Sequence, residues 1–293
     1  MSSQATDSQQ PGSQQPAADG LVSVAAARGP LALSASGLGK DFRLGRGHVL
    51  HAVRDVSISL YRGAVVSLVG ESGSGKSTLA LALAGLLPAG SRVDGIVRWP
   101  ELGRQPVNGR DLGFVFQDPS SSLNPVLTIG EQIAEVARAH LGLGWREAYA
   151  HAETLLGRVR LPDPPSALKA FPHQLSGGQR QRVAIAEAIA ARPGLLIADE
   201  ATSALDTIVQ AEIVRLIEEL VAEDGMSLLF ISHDIALASQ IADRIAVFRN
   251  GRLVEIGEAG QIVDAPREAY TKSLLAAHMG LDTPSLLAPE VFG

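Results

Sequence analysis

Three short segments of the chain are almost continuously apolar, at residues 65–69, 195–198 and 228–231. Strands that are buried on both faces have this pattern, and parallel sheets covered by helices contain such strands. Polar residues follow each segment directly, in the runs Gly70-Glu71-Ser72, Asp199-Glu200 and Ser232-His233-Asp234. Because ligands bind beyond the carboxyl ends of strands in open α/β sheets, we expect these three runs to form one site.

Other segments predict the elements around this sheet. Alternating runs between residues 31 and 60 predict antiparallel strands. Helical patterns at 129–160 and 179–191 predict a helical region of about 119–192, inserted into the α/β core. Residues 1–30 are rich in Gln, Ser and Pro and predict a disordered tail. Residues 261–293 form a C-terminal extension, which either docks a partner or wraps around the core.

Composition narrows the classes of function. Hydrophobic residues make up 46% and charged residues 19% of the 293 positions, as in a globular protein. The formal net charge of -6 is unfavourable for a nucleic-acid partner. The chain has no cysteine, which excludes disulfides, iron–sulfur clusters and thiol catalysis. Its longest apolar stretch, at 79–88, is far shorter than the ~20 residues of a spanning helix, and we expect no secretory signal. Any work at a membrane would therefore need another chain to hold this one there.

A phosphate-binding loop follows the first apolar segment and precedes the apolar run 79–83. It consists of Gly70, Glu71, Ser72, Gly73, Ser74, Gly75, Lys76, Ser77 and Thr78, in the pattern G-x-x-x-x-G-K-[ST]. Glycines let backbone amides converge on phosphate oxygens, and the following helix directs its positive end at the anion. We expect Lys76 to reach the β- and γ-phosphates and Ser77 to coordinate Mg²⁺.

Two adjacent carboxylates follow the second apolar segment. Asp199 is expected at the hydration shell of Mg²⁺, and Glu200 is the natural general base for an attacking water. A phosphate loop with these acids predicts nucleotide binding only, because kinases, GTPases, helicases and transport motors share it.

A second candidate anion site lies about a hundred residues after the first. Ser176, Gly177, Gly178 and Gln179 stand in the run LSGGQ, at the start of the predicted helix 179–191. Two glycines beside a serine give bare amides, a hydroxyl and a helix dipole at one point.

With both motifs present, residues 31–260 resemble one complete ATP-binding cassette (ABC) ATPase. The resemblance implies an α/β fold, with a RecA-like core, an antiparallel β subdomain before it and an inserted helical subdomain. It also implies that ATP and Mg²⁺ are bound.

The resemblance implies roles for four further residues. Gln117 matches the glutamine that contacts Mg²⁺ and the attacking water. Asp206 closes the run Ser203-Ala204-Leu205-Asp206, which matches the D-loop. His233 matches the switch histidine at the γ-phosphate, and Phe42 is similar to the aromatic residue that stacks on adenine. Stacking tolerates other bases, so ATP and GTP both stay open on this residue alone.

A narrower resemblance points to the dipeptide, oligopeptide and nickel importers. It rests on four runs, at 70–76, 116–125, 171–174 and 270–275. The chain departs from that branch at Glu268-Ala269, where His-Pro is common, at Ala201, where Pro is common, and at Glu187, where Arg is frequent. The segment between Lys76 and Gln117 is short, and the branch's cysteine-bearing extension is absent, which excludes a metal cluster there.

The family resemblance also implies partners. In the head-to-tail dimers of this family, ATP lies between the phosphate loop of one subunit, with Lys76, and Ser176 of the other subunit. A second ABC ATPase subunit is expected, in a heterodimer rather than a homodimer, with two transmembrane permease subunits and an indirect extracytoplasmic solute-binding protein. The chain is then peripheral, at the cytoplasmic face of the inner membrane, without nucleic acid. The identity of the cargo stays open and includes a nickel chelate, an opine or another solute. Two other functions also stay open: the ATPase of an exporter, and a soluble ABC ATPase that acts on DNA or ribosomes.

Overall fold

The computed structural model describes residues 29–43, 48–88, 90–203 and 205–278. Nearly all of the tail predicted at 1–30, the end of the extension and Ala204 of the predicted D-loop lie outside these ranges. The strands are β1 Leu31–Arg43, β2 Val49–Tyr61, β3 Val65–Val69, β4 Val93–Arg98, β5 Leu112–Val115, β6 Leu195–Asp199, β7 Ser227–Ser232, β8 Arg244–Arg249 and β9 Arg252–Glu258. The helices are α1 Lys76–Ala84, α2 Pro119–Ser122, α3 Ile129–Leu141, α4 Trp145–Arg158, α5 Pro164–Ala167, α6 Gly177–Ala188, α7 Thr207–Asp224, α8 Ile235–Ile241, α9 Ala259–Asp264 and α10 Ala269–His278.

A six-stranded sheet forms the centre of the fold, in the order β5-β6-β7-β3-β8-β9. The pairs from β5 to β8 are parallel, and β9 runs antiparallel to β8. The three apolar segments of the sequence are β3, β6 and β7, and they are neighbours in the sheet. Their carboxyl ends therefore meet at one edge, as the pattern predicted.

A three-stranded antiparallel sheet, in the order β2-β1-β4, packs against the central sheet. Strand β4 was not predicted from the sequence. Leu38 and Val56 of the small sheet share one buried cluster with Leu68 of β3 and Leu79 of α1. This shared core fixes the small sheet beside the start of α1.

Helices α2 to α6 lie between β5 and β6 in the chain. Their core includes Ile133, Leu156 and Ile185, which are fully buried and pack with Ile217 of α7. The prediction of a single helix over 129–160 is wrong, because α3 ends at Leu141. Gly142 then adopts a left-handed conformation at φ 69°, which stops an α-helix, and α4 begins three residues later. The assignment of 119–192 to a separate subdomain stays a prediction.

The last described helix belongs to the core. Tyr270, Leu274 and Leu275 of α10 are buried in a cluster that also contains Val69 at the end of β3. Within the described ranges, no helix combines the length and the apolar character that crossing a bilayer requires.

Candidate active site

The phosphate loop connects β3 to α1 and depends on two glycines with positive φ. A Cβ at Gly70 (φ 153°) would stand 2.0 Å from the carbonyl oxygen of Phe248, and one at Gly75 (φ 106°) 2.0 Å from that of Ala52. Only glycine allows these approaches. Gly75 is also the N-cap of α1 and supplies no side-chain cap, so the helix start keeps amides for an anion.

Lys76 is buried at the bottom of the loop, with 3% of its surface exposed. Its Nζ donates to the carbonyl oxygens of Gly70 (2.8 Å) and Glu71 (2.9 Å) and lies 3.5 Å from Oε1 of Glu200. Burial lowers the pKa of Lys76, while Glu200 and then Asp199 oppose this. The two carbonyls take two of the three N–H groups of this buried ammonium and hold it in place, so that the third can be directed at a phosphate oxygen.

Ser77 and Asp199 join the first turn of α1 to the end of β6. The Ser77 hydroxyl donates to Oδ1 of Asp199 at 2.9 Å, and Asp199 is 6% exposed. Burial raises the pKa of Asp199, and the Ser77 hydrogen bond partly offsets this. A hydroxyl and a carboxylate in contact are hard oxygen donors of the kind that Mg²⁺ prefers.

Glu200 is the residue around which the polar side chains converge. Gln117, which follows β5, donates its Nε2 proton to Oε2 of Glu200 at 3.1 Å. Nδ1 of His233, which follows β7, lies 4.0 Å from the same oxygen. Glu200 adopts φ 45°, a conformation that non-glycine residues rarely take, and its amide donates to Ile231 of β7 at 3.0 Å. Four strand ends thus deliver polar groups to one point.

A cavity of about 600 Å³ opens in front of these groups. Ten predicted residues line it: Phe42, Ser72, Gly73, Ser74, Gly75, Lys76, Ser77, Thr78, Gln117 and Glu200. Four other predicted residues lie behind or beside this lining: Gly70, Glu71, Asp199 and His233. The Lys40 ammonium lies 4.7 Å from the ring centroid of Phe42 and occupies one side of that ring.

Six residues of the lining were not predicted from the sequence: Leu50, His51, Ala52, Arg54, Asn250 and Gly251. Asn250-Gly251 is a hairpin-turn signal that could have revealed the β8–β9 hairpin. Nothing in the sequence pattern distinguishes Arg54. The Gly251 amide donates to the Ser74 carbonyl at 2.8 Å, and the Gly251 carbonyl accepts from Arg54 N at 2.7 Å. One residue therefore connects the hairpin, the phosphate loop and the small sheet.

The LSGGQ residues line no part of this cavity. Ser176 is the N-cap of α6, where its Oγ accepts from Gln179 N (3.3 Å) and its amide donates to Gln179 Oε1 (2.9 Å). A Cβ on Gly178 would be 3.1 Å from Val209 of α7, and Gly177 faces Leu205. Asp206 caps α7 in the same way, accepting from Val209 N at 3.0 Å. Within one chain, the structure does not bring Ser176, Gly177, Gly178, Gln179 or Asp206 into the cavity lining.

A family model described as ABC transporter matches residues 53–203, just over half of the chain. The glutathione import ATP-binding protein GsiA of Salmonella typhimurium is 46% identical over 260 residues, which cover 84% of this chain and 42% of that protein. GsiA of Escherichia coli is 45% identical over 261 residues, covering 81% and 41%. The chain thus spans about two fifths of the length of these curated relatives.

Two solved structures have the same fold. The dimeric post-hydrolysis state of the ATP-binding cassette MJ0796, bound to ADP and Pi, matches with a TM-score of 0.68 and 28% identity, over 78% of this chain and 98% of that one. The cbiO1 structure from Clostridium perfringens, part of the ABC transporter complex cbiONQ, matches with a TM-score of 0.66 and 24% identity, over 87% and 96%.

Proposed function

Because the chain belongs to the ABC transporter family, we propose that it is the ATP-hydrolysing subunit of an importer that takes up peptides or related small solutes. One observation carries this proposal: Lys76, Ser77, Asp199 and Glu200 converge at a single edge of the sheet. The import of glutathione, itself a tripeptide, by similar proteins supports the class of cargo.

The phosphate loop binds the triphosphate and Glu200 activates the water. Free amides at the start of α1 receive the phosphate oxygens, and Lys76, held in place by its two carbonyl partners, donates its remaining N–H to them. Glu200 accepts a proton from the water that attacks the γ-phosphorus. Gln117 and His233 orient the Glu200 carboxylate from two sides, through Oε2.

The donor set at this edge fits Mg²⁺. The Ser77 hydroxyl, the Asp199 carboxylate and the Gln117 side chain offer oxygen atoms, and Ser77 and Asp199 are already in contact. When it is bound, Mg²⁺ neutralises charge on the β- and γ-phosphates. Because Asp199 is buried, its ionised carboxylate lacks the stabilisation that water would give. A bound cation would compensate for this desolvation.

A second ATPase subunit completes the site. The LSGGQ helix end lies outside the cavity of its own chain, which supports a role for Ser176 on nucleotide held by a neighbour. A solved relative is described as dimeric, which supports this arrangement. The partner is a distinct cassette in a heterodimer, and both contact two transmembrane permease subunits at the cytoplasmic face of the membrane. A solute-binding protein delivers the cargo to them from the other side.

Substitutions at two residues test the catalytic assignment. Glu200→Gln keeps the hydrogen-bonding shape but cannot accept a proton, so ATP should stay bound while hydrolysis falls by roughly 10²–10⁴. Lys76→Ala should abolish tight ATP binding. Glu218→Gln, at an exposed site on α7 outside the cavity, is the matched control and should hydrolyse ATP normally. Normal turnover by Glu200→Gln in the purified complex would contradict the assignment.

Copurification tests the transport assignment separately. When the chain is expressed in its native host and the membranes are extracted with mild detergent, membrane permease subunits should copurify with it. Recovery of ribosomes or DNA instead of permeases would refute the importer proposal and leave the ATPase chemistry untouched.

A further inference from the structure

We propose that Tyr270 of α10 is a positioning residue for the phosphate loop, and that it acts on Lys76 through the peptide group between Gly70 and Glu71. This inference rests on the proposed function, in which Lys76 binds the phosphates of ATP. It gives the C-terminal extension a part in nucleotide binding, although α10 does not line the cavity.

One peptide group connects Tyr270 to Lys76. The Glu71 N–H donates to the Tyr270 hydroxyl oxygen at 3.3 Å. The carbonyl of the same peptide, on Gly70, accepts from Lys76 Nζ at 2.8 Å. Hydroxyl, peptide and ammonium therefore form a continuous chain of hydrogen bonds, in which each bond polarises the next.

The geometry of a trans peptide explains why an acceptor is needed behind the loop. The N–H and C=O of such a group point in opposite directions, so a carbonyl turned toward Lys76 turns its amide away from the cavity. Glu71 accordingly does not line the cavity. The hydrogen bond of this amide to Tyr270 is part-buried, so loss of its acceptor has a cost, and rotating this peptide to reach another acceptor would withdraw the Gly70 carbonyl from Lys76.

Tyr270 is held firmly enough to fix that peptide. It is 7% exposed, and the Arg249 guanidinium lies 4.4 Å from its ring centroid. Leu274, one turn further along α10, is 4% exposed. The Glu255 carboxylate of β9 accepts from the amides of Arg267 (2.9 Å) and Glu268 (3.1 Å), which anchors the chain just before the helix. The hydroxyl is thus fixed relative to the central sheet.

Removal of the hydroxyl alone tests this role, together with the contact that the same hydroxyl makes with the Glu71 carboxylate. Tyr270→Phe keeps the ring, its packing and the Arg249 contact. We expect the Glu71 amide of the nucleotide-free chain to exchange with solvent faster, and the Kd for ATP to rise about 3- to 10-fold, the usual effect of one lost hydrogen bond. The rate at saturating ATP should stay close to the normal rate, because the hydroxyl contacts no reacting atom.

Two control variants separate positioning from packing. Tyr149→Phe removes a hydroxyl from α4, outside the cavity, and should change neither measurement. Leu274→Ala weakens the packing of α10 but keeps the Tyr270 hydroxyl. It should lower the melting temperature more than Tyr270→Phe does, with a smaller change in the Kd for ATP.

Amide exchange measured by NMR and ATP binding measured by calorimetry decide the question together. Faster Glu71 exchange with weaker ATP binding in Tyr270→Phe alone supports the proposal. Unchanged Glu71 exchange, or unchanged ATP affinity, overturns it, and so does a Leu274→Ala variant that loses ATP affinity equally. If the unsubstituted chain bound no ATP, the proposed function would fail, while the exchange rate would still report whether Tyr270 holds the loop.

Discussion

We expect the carboxyl of Glu187 to make the stability of the chain depend on pH. Glu187 lies on α6, beside a cavity of about 280 Å³ that Glu135 and His140 of α3 also line. Burial, and secondly the charge of Glu135, raise the pKa of Glu187 from 4.5 to about 7. Among the described residues of this lining, none is a lysine or an arginine. The ionised form of Glu187 is therefore uncompensated.

The sign and size of the effect follow from linkage. Below about pH 4.5 the carboxyl is protonated in both the folded and the unfolded chain and contributes nothing. Between that pH and 7 the unfolded chain releases its proton first, so the free energy of unfolding falls as pH rises. Above pH 7 the loss levels off at roughly 3 kcal/mol, since each pKa unit corresponds to about 1.36 kcal/mol.

Glu187→Gln should remove this loss. We expect the variant and the original chain to have similar urea midpoints near pH 4.5, and the variant to be the more stable by up to roughly 3 kcal/mol at pH 8. Trp99, which is 7% exposed, gives a fluorescence signal for unfolding. Glu135→Gln is the control and should recover only a minor part of the gain. His140 lines the same cavity, so the comparison is repeated with His140→Gln. Parallel stability curves from pH 5 to 8.5 would refute the reasoning.

Two further predictions concern the subunit boundary and a surface ion pair. Ser176→Cys introduces the only thiol of the chain. If ATP closes about nine-tenths of the complexes, alkylation of this thiol should be roughly tenfold slower with ATP than without it. Equal alkylation rates with and without ATP would contradict the shared site. Asp111 accepts hydrogen bonds from Arg104 (2.7 and 2.9 Å) and from the Val107 amide (2.7 Å), and Arg104 foremost lowers its pKa. Asp111→Asn should therefore cost about 1–3 kcal/mol in thermal or urea unfolding at pH 7, and this cost should fade as pH falls below 3.8; a cost that persists in acid would exclude an ionic origin.

The sequence predicted those parts of the fold that repeat a simple pattern. Apolar runs identified β3, β6 and β7, and their polar ends correctly predicted one shared edge. The glycine spacing from Gly70 to Gly75 predicted the strand–loop–helix connection. The helical pattern at 129–160 hid a break, because the periodicity continues on both sides of Gly142.

The missing parts depend on packing between segments distant in the chain. Arg54 and Asn250 reach the cavity only because the small sheet and the β8–β9 hairpin both abut the phosphate loop. Tyr270 comes to Glu71 from 199 positions away, and only the packing of α10 determines that approach. No local pattern contains this information, whereas the family resemblance at least implied a role for Gln117 at the site, and the position after an apolar run indicated Glu200.

The backbone bonds of Gly251 have a kinetic consequence. They tie the strand of Arg54 to the Ser74 turn, so we expect the ring of Phe42 and the amides that receive phosphate to keep their relative positions. A nucleotide then meets a preassembled cradle, and its capture should be limited by diffusion and not by rearrangement of the protein. The slow steps of the catalytic cycle would then be the approach and separation of the two ATPase subunits. Turnover should therefore depend on solvent viscosity rather than on the rate at which each subunit binds nucleotide.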